Sequence, residues 1–591
     1  MRYLDVLTQV PASLGYGLRQ KLKEGYSSAD LRADLMAGLV VGVVALPLSM
    51  ALAIASGVPP QYGLYTAIVA GFLNALLGGT RFQVTGPTAA FVVILVPVVE
   101  KHGFGGLLVA GQMAGLILVA MGMLGLGRLI QYIPHPVTTG FTAGIAVVIG
   151  TIQLKDFFGL RFAHAPESYF ERLKVMWESR ATFAPWELGI GAFTLALLLL
   201  LPRVIKKIPA PLLALAAAAA FAVVLGKLVP GFHVETIGSR FHSVVDGREI
   251  AGIPPLPPLP LVPWHLPGAN GAPFTLGFAT FRDLFPSALA IAMLGAIESL
   301  LAAVVADGMS GTKHDPNAEL MALGLSNIAC PIFGGIPATG AIARTATNIR
   351  AGARSPISTV VHAAFVLLCT IALAPLVAYL PMAALAALLL LVARNMAEAR
   401  HFAHIVRVAP KSDVTVLVTC FALTVIFDMV LSVSVGVVLA AMLFMRRMAE
   451  IADAKLDTET MQKLDLPPGV LLYEIAGPLF FGAAQKAMST FETVEHGAMA
   501  VILYFGQVPA MDATGLVALE TLVDRLKRTG HKVILAGLRE QPQRVIDKAG
   551  TIKREPGKVG FAPDVDSALS MAILHTARQP PPDPSSTPTA A

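Results

Sequence analysis

The sequence predicts a polytopic α-helical membrane protein with a small α/β domain at its C-terminal end. Three observations lead there. Of the 591 residues, 55% are hydrophobic and 14% charged, with a mean hydropathy of +0.69; a soluble globular protein carries about 25% charged residues. Charge-free apolar stretches follow one another for about four hundred residues, each near the roughly 20 residues that cross 30 Å of hydrocarbon. Beyond residue 467 the pattern changes to short strands alternating with amphipathic helices. Three cysteines (Cys330, Cys369 and Cys420), all in apolar runs, exclude a disulfide scaffold and a CxxC metal site. Arg19, Lys21, Lys23 and Glu24 stand where a signal peptide would place its apolar core, so no cleavable leader is expected.

Residues 35–80, 82–99, 103–127, 129–154, 208–226 and 355–393 contain no Asp, Glu, Lys or Arg. The stretch 35–80 holds two crossings, divided by the breaker Gly57-Val58-Pro59-Pro60, and 355–393 holds two, divided near Pro381-Met382. Apolar runs near 187–202, 284–306, 317–333, 340–352, 413–427 and 429–445 bring the total to about fourteen elements, several too short to span alone. Asp428 reads as the hairpin turn between the last two, and His135 and His362 as packing residues.

Placing the N-terminus in the cytoplasm and alternating sides puts Arg128, Arg203/Lys206/Lys207, Lys313, Arg350/Arg354, Arg394/Arg400/Arg407/Lys411 and Arg446/Arg447 inside. Short outside connections are almost free of Lys and Arg, apart from Lys101, which is the positive-inside pattern. The longer segments 155–185 and 230–283 fall outside. The expected organisation is a cytoplasmic segment 1–33, a transmembrane domain 34–449, a linker 450–466, a soluble domain 467–577 and a Pro/Ser/Thr-rich tail 578–591. In the soluble domain, strands are expected at Val470–Ile475, Met499–Phe505 and Lys532–Ala536. Helices are expected at Ala483–Phe491, Thr514–Arg528 and near Gln541–Ala549.

Two places break the apolar helical pattern: Gln83-Val84-Thr85-Gly86-Pro87-Thr88, and Gly334-Gly335-Ile336-Pro337-Ala338-Thr339-Gly340 before Ala341. Irregular backbone at membrane depth is tolerated only where it is buried in protein or lines a wet cavity. Each break precedes a helix whose first turn offers free N–H groups and a positive dipole end, which favour anions. Paired Gly/Pro interruptions at matching positions of two halves are the best sequence pointer to a transporter binding site. Each break is the third element of its half. Seven crossings per half is odd, so the second half must be inverted relative to the first.

Glu298 is the only charge in 284–306, and Arg344 lies in the second broken helix. Ionisable groups at mid-bilayer are costly and usually have a functional partner. Arg344 then belongs to an anion site, with Glu298 as a proton-accepting neighbour; the alternative is an inert bridge between elements eight and ten. Two helix tips at about +0.5 each plus Arg344 give a site field near +2, suited to a dianion, or to a monoanion when Glu298 is ionised. That sum does not separate sulfate from a dicarboxylate.

Asp34–Gly38, Gly57-Val58-Pro59-Pro60-Gln61-Tyr62-Gly63-Leu64-Tyr65, Thr85-Gly86-Pro87-Thr88, Ala296-Ile297-Glu298-Ser299-Leu300-Leu301 and the run Gly334 to Arg354 resemble the SulP/SLC26 anion transporters. The resemblance runs from about residue 30 to 575. Pro47-Leu48-Ser49-Met50-Ala51-Leu52-Ala53-Ile54 and Met293–Glu298 resemble the bacterial DauA-type C4-dicarboxylic acid branch of that family. The resemblance implies a UraA/SLC26-like fold: fourteen segments in two inverted seven-segment repeats, with elements 1–4 and 8–11 forming a core and 5–7 and 12–14 a gate. Substrate would sit between the tips of elements three and ten, with elevator-like transport. It also implies a homodimer and a C-terminal STAS domain. There Asp512-Ala513-Thr514-Gly515 matches the motif whose Ser is phosphorylated in signalling relatives, and a regulatory role with a cytoplasmic protein partner is expected. Leu48 stands where many members have Gln, and Thr88 where animal members have Phe, so contacts from those positions are not carried over.

The expected function is proton-coupled (or sodium-coupled) uptake of a C4-dicarboxylate such as succinate, fumarate or aspartate across the bacterial inner membrane. Thr85, Gly86, Thr88, Thr339, Gly340 and Ala341 would supply backbone or hydroxyl contacts, Arg344 charge, and Glu298 the coupling proton. Uptake of sulfate or bicarbonate is the nearest rival. A passive anion channel, or a sensor working through the STAS domain, is more distant. No enzyme, cofactor, metal or nucleic-acid partner is expected, since no His/Cys/Asp cluster has metal spacing.

Overall fold

The computed structural model describes residues 14–128, 134–164, 166, 168–205, 209–245, 248–263, 266, 268, 274, 277–427, 429–451, 453–456, 466, 468–480, 498–553, 555 and 558–577. Asp428, Lys206, Lys207, the expected helix Ala483–Phe491 and the tail 578–591 lie outside the described residues.

The first half opens with a short helix α1 (Tyr16–Glu24). It is followed by α2 (Ser28–Ala55), α3 (Pro60–Leu77), a two-residue strand β1 (Thr85–Gly86), α4 (Ala89–Met123), α5 (His135–Phe158), α6 (Tyr169–Glu178), α7 (Pro185–Val204) and α8 (Ala210–Leu228). Ser27 starts α2 with a capping box to Asp30, and Pro60 starts α3 at its first position, where a missing N–H costs nothing. α4 is two crossings in one: Gly103 breaks it at φ 71°, a left-handed angle that a glycine adopts without penalty. The segment 155–185 carries α6, and 230–283 carries a hairpin of β2 (His242–Val245) and β3 (Arg248–Ala251).

The second half repeats the plan: α9 (Phe278–Ser310), α10 (Pro316–Ile332), β4 (Thr339–Gly340), α11 (Ile342–Arg350), α12 (Ile357–Ala372), α13 (Met382–Ala397), α14 (Ala399–Val408), α15 (Lys411–Ile426) and α16 (Met429–Ile451). Counting α4 twice and leaving out α1, α6 and α14, the described residues hold the fourteen segments expected. Among the described residues eight stretches are long and apolar enough to cross a membrane, one of them, Met382–Val408, only when α13 and α14 are taken together. Leu200, Phe285 and Leu368 are more than half exposed, as lipid-facing side chains should be. One helix was missed: 399–408 reads as a basic loop in sequence and folds as α14.

Packing sorts the helices into two groups. α2 lies against α12 and α3, and α4 against α10 and α9; α5 instead lies against α13 and α15. Small residues allow these approaches, and α13 buries five alanines along its length.

The C-terminal unit is a five-stranded sheet in the order β5-β6-β7-β8-β9, formed by Asp453–Leu456, Val470–Ala476, Ala500–Gln507, Lys532–Ala536 and Val559–Ala562. β5 is antiparallel to β6 and the rest are parallel. Helices α17 (Ala513–Arg528), α18 (Glu540–Ala549) and α19 (Val565–Thr576) complete it. Alternating residues of β6 and β7 feed two cores, one on each face: Leu471, Tyr473, Val501 and Leu503 on one side, Val470, Leu472, Ala500 and Ile502 on the other. β5 lies inside 450–466, which the sequence offered as a linker; β9 and α19 also went unread. The two strands are four residues each and form the sheet edges, while α19 packs Ala568 and Ala572 into the core on one face.

Candidate functional site

The two interrupted segments meet. β1 and β4 pair antiparallel, with Thr85 opposite Gly340 and Gly86 opposite Thr339. Two strand-then-helix units related by inversion approach head to head, so this alignment follows from the repeat itself. Side chains close the remaining backbone groups. Ala341 N–H donates to the Val84 carbonyl at 2.9 Å. Val84 N–H donates to Thr345 Oγ1 at 3.1 Å, and Thr359 Oγ1 to the Gln83 carbonyl at 3.1 Å. Asn327 bonds both the N–H and the carbonyl of Ala338, at 2.8 and 2.9 Å. Non-helical backbone is thereby satisfied where no water or lipid could do it.

Beyond the ladder the two helices start. α4 begins after Thr88 and α11 after Ala341, and neither N-cap side chain bonds back to its own helix. Both tips line one cavity of about 320 Å³: Thr88, Ala89 and Ala90 from α4, and Ala341, Ile342, Ala343 and Arg344 from α11. Leu48 and Leu52 of α2 and Leu294, Glu298 and Leu301 of α9 complete one side. Phe141, Thr142 and Ile145 of α5 and Val392, Asn395 and Met396 of α13 form the other. The cavity therefore lies between the two packing groups.

Arg344 is 3% exposed. Its Nη2 donates to the Pro87 carbonyl at 2.5 Å, while among the described residues Nε and Nη1 have no partner. A cation in the first turn of a helix opposes the helix dipole, so this placement does not serve α11's stability. Gly86 leaves room for it: a Cβ there would stand 2.7 Å from Nη1 and push the guanidinium aside. Glu298 accepts a hydrogen bond from Thr88 Oγ1 at 2.8 Å. Among the described residues Arg344 has no carboxylate within ion-pair distance, so Glu298 and Arg344 form no direct bridge. Each charged group is instead tied to the first break, one at Pro87 and one at Thr88.

Of the expected contact residues, Thr88, Glu298, Ala341 and Arg344 reach the cavity. Thr85, Gly86, Thr339 and Gly340 form the ladder behind it. The Thr339 hydroxyl is used on the Gly295 carbonyl at 3.0 Å, and Thr85 is fully buried with its hydroxyl unbonded. His362 is buried in α12, with neither ring nitrogen bonded among the described residues, and His135 is exposed at the start of α5.

Two further carboxylates have structural roles that the sequence did not assign, although Asp34 stands in one of the family motifs. Glu319, fully buried, accepts from Asn74 Nδ2 (2.8 Å), Gly79 N–H (2.9 Å), Thr80 N–H (3.0 Å), Thr80 Oγ1 (2.8 Å) and Gln83 Nε2 (2.7 Å). It fixes the approach to β1, and Gln83 passes the connection on to Ser299 Oγ at 2.5 Å, next to Glu298. Asp34, also fully buried, accepts from the Arg354 and Ser355 N–H groups (2.6 and 3.1 Å) and from Tyr26 OH (2.9 Å), holding the exit of α11. The criterion that singled out Glu298, one carboxylate in an apolar run, would have found Glu319.

In the C-terminal unit Asp512 caps α17, accepting from Gly515 N–H at 2.8 Å, and Thr514 is exposed on the first turn.

A helical membrane protein with two opposed broken segments aimed at one cationic cavity is built as an anion transporter. The chain belongs to the sulfate permease family, whose sequence pattern matches residues 31–420; a STAS domain pattern matches 462–568. It is 41% identical over 502 residues to the putative sulfate transporter YvdB of Bacillus subtilis, covering 85% of this chain and 90% of that one. To the bicarbonate transporter BicA of Picosynechococcus it is 29% identical, covering 86% and 88%. Murine Slc26a9, in an inward-facing state, shares the fold with a TM-score of 0.82 at 18% identity, covering 96% and 95%. The expectation of SulP/SLC26 membership and fold is met. The dicarboxylate branch is not distinguished, since the relatives just named are described by sulfate and bicarbonate.

Proposed function

We propose that the protein is a secondary active transporter that carries a small oxyanion inward across the bacterial inner membrane, coupled to protons. One observation carries the reading: two uncapped helix tips, Glu298 and the buried Arg344, whose Nε and Nη1 have no partner among the described residues, line one cavity. Ionised Glu298 offsets about one unit of the site's +2 field, and protonation restores it. A proton and a dianion then favour each other's binding, and by linkage the coupling is reciprocal. Thr88 positions the carboxylate and Pro87 the guanidinium; Thr85, Gly86, Thr339 and Gly340 hold the tips in register. The location of the cavity between two packing groups supports an elevator-like movement of one against the other. The N-terminus and STAS domain belong on the cytoplasmic side by the Lys/Arg distribution. The STAS domain, with Asp512 and Thr514 at its α17 start, serves assembly or regulation in a homodimer.

The relatives described as sulfate and bicarbonate transporters favour an inorganic oxyanion. A C4-dicarboxylate is the second reading, supported by the apolar walls Leu48, Leu52, Phe141, Ile145 and Leu294, which leave room for a carbon chain. Labelled sulfate uptake into proteoliposomes under an imposed proton gradient, with bicarbonate and succinate as competitors, tests both. Inhibition by succinate at lower concentration than sulfate would favour the second. Absence of gradient-driven uptake for all three would overturn the proposal.

A further inference from the structure

We propose that α14 (Ala399–Val408) is a docking surface for anionic lipid headgroups, and that the grip of those headgroups holds one wall of the transport cavity in place. The helix has two chemically opposite faces. Arg400, His404 and Arg407 fall at i, i+4 and i+7 on one stripe, and Phe402, Ile405 and Val406 on the other. None of its ten residues is buried. Phe402 rests against Phe421 of α15 at 5.5 Å between ring centres, whereas Val406 and Val408 are 40% and 70% exposed.

Its position fixes what can cover it. α14 is joined to the apolar helices α13 and α15 on either side, so it is tethered at the membrane surface at both ends. A helix with one basic and one apolar face, held there, lies in the headgroup layer with its apolar side toward the acyl chains. From 394 to 411 the sequence carries four permanent cations, Arg394, Arg400, Arg407 and Lys411, against a single carboxylate, Glu398. Among the described residues none of the four is engaged in an ion pair. Charge complementarity therefore selects an anionic headgroup.

The link to the cavity is Glu398. It joins α13 to α14 at φ 38°, ψ 44°, and among the described residues it is the only non-glycine with a positive φ. Such a backbone persists only where its surroundings impose it. Glu398 also lines the transport cavity together with Asn395 and Met396. A turn of α14 about this junction therefore displaces the cavity wall. This part of the proposal rests on the transport reading given above.

The test uses the full chain reconstituted in vesicles of phosphatidylcholine, with or without phosphatidylglycerol. Val408→Cys provides a labelling site, since Cys330, Cys369 and Cys420 are buried. A fluorophore there should be quenched about threefold more by headgroup-spin-labelled phosphatidylglycerol than by the phosphatidylcholine equivalent. Arg400→Gln with Arg407→Gln should abolish that preference, as should about 0.5 M salt. Arg128→Gln with Arg203→Gln, two exposed cations elsewhere, should leave it unchanged. Uptake should rise about fivefold with phosphatidylglycerol in the wild type and less than about twofold in the Arg400/Arg407 double variant. Soluble glycerol phosphate added to phosphatidylcholine vesicles should not substitute. Equal quenching by both lipids, or an unchanged preference in the double variant, overturns the docking surface. Rescue by glycerol phosphate would assign the site to a free phosphate and overturn the lipid. Loss of the preference without any change in uptake overturns the link to the cavity. Absence of uptake in every vesicle would count against the transport reading, while the quenching arm would still decide the lipid.

Discussion

The two interrupted segments are copies of one device put to different uses. Both run from a two-residue strand through an uncapped N-terminus into a helix. Aligned from those N-termini, Thr88 matches Ala341 and Phe91 matches Arg344. Phe91 is 1% exposed and packs into the core; Arg344 lines the cavity. The first segment brings no charge. It brings a carbonyl (Pro87) and a hydroxyl (Thr88), which hold Arg344 and Glu298 respectively. Inverted duplication thus supplies the geometry twice and the charge once. One half carries the buried cation and the other holds both ionisable groups in place, which avoids two buried cations repelling across a small cavity.

Four substitutions break or sharpen that division of labour. Arg344→Gln removes the charge-bearing side of the comparison, and anion uptake should fall by at least about a hundredfold, as for loss of a desolvated charged contact. Glu298→Gln should leave anion exchange across the membrane intact while ending accumulation driven by a proton gradient; unchanged accumulation would remove Glu298 from the coupling. Gly86→Ala forces the guanidinium aside by filling the space 2.7 Å from Nη1. A shift approaching 1 Å should cost about tenfold to a hundredfold in uptake. Thr88→Val deletes one neutral-to-charged hydrogen bond from the first segment and should change the apparent affinity by about tenfold, the low end of the range for such a bond. If Thr88→Val proved as damaging as Arg344→Gln, the first segment would be more than a support.

Much of this was legible in sequence because membranes impose strict rules. Charge-free runs gave the helices, and Gly/Pro interruptions gave the two breaks and both tips, though not the pairing of β1 with β4. Glu298 and Arg344 stood out as lone charges in apolar surroundings. What stayed hidden was tertiary. Glu319 is held by Asn74, Thr80 and Gln83, more than two hundred residues away in sequence. Thr339 looked like a substrate contact by type and position, yet its hydroxyl is used on Gly295. α14 read as a loop because a ten-residue helix with two histidines and two arginines has no long apolar run to announce it. β5 and β9 are four residues each, too short for any periodicity to show.

The central claim, that both helix tips and Arg344 share one anion, is tested most directly by thermal unfolding of the purified protein against sulfate concentration, for the wild type and Arg344→Gln. Specific binding at a hundred times the dissociation constant stabilises the wild type by about 2.7 kcal/mol, and the account predicts a rise in melting temperature that saturates with sulfate in the wild type and is absent in Arg344→Gln. The same saturating rise in both proteins would contradict it.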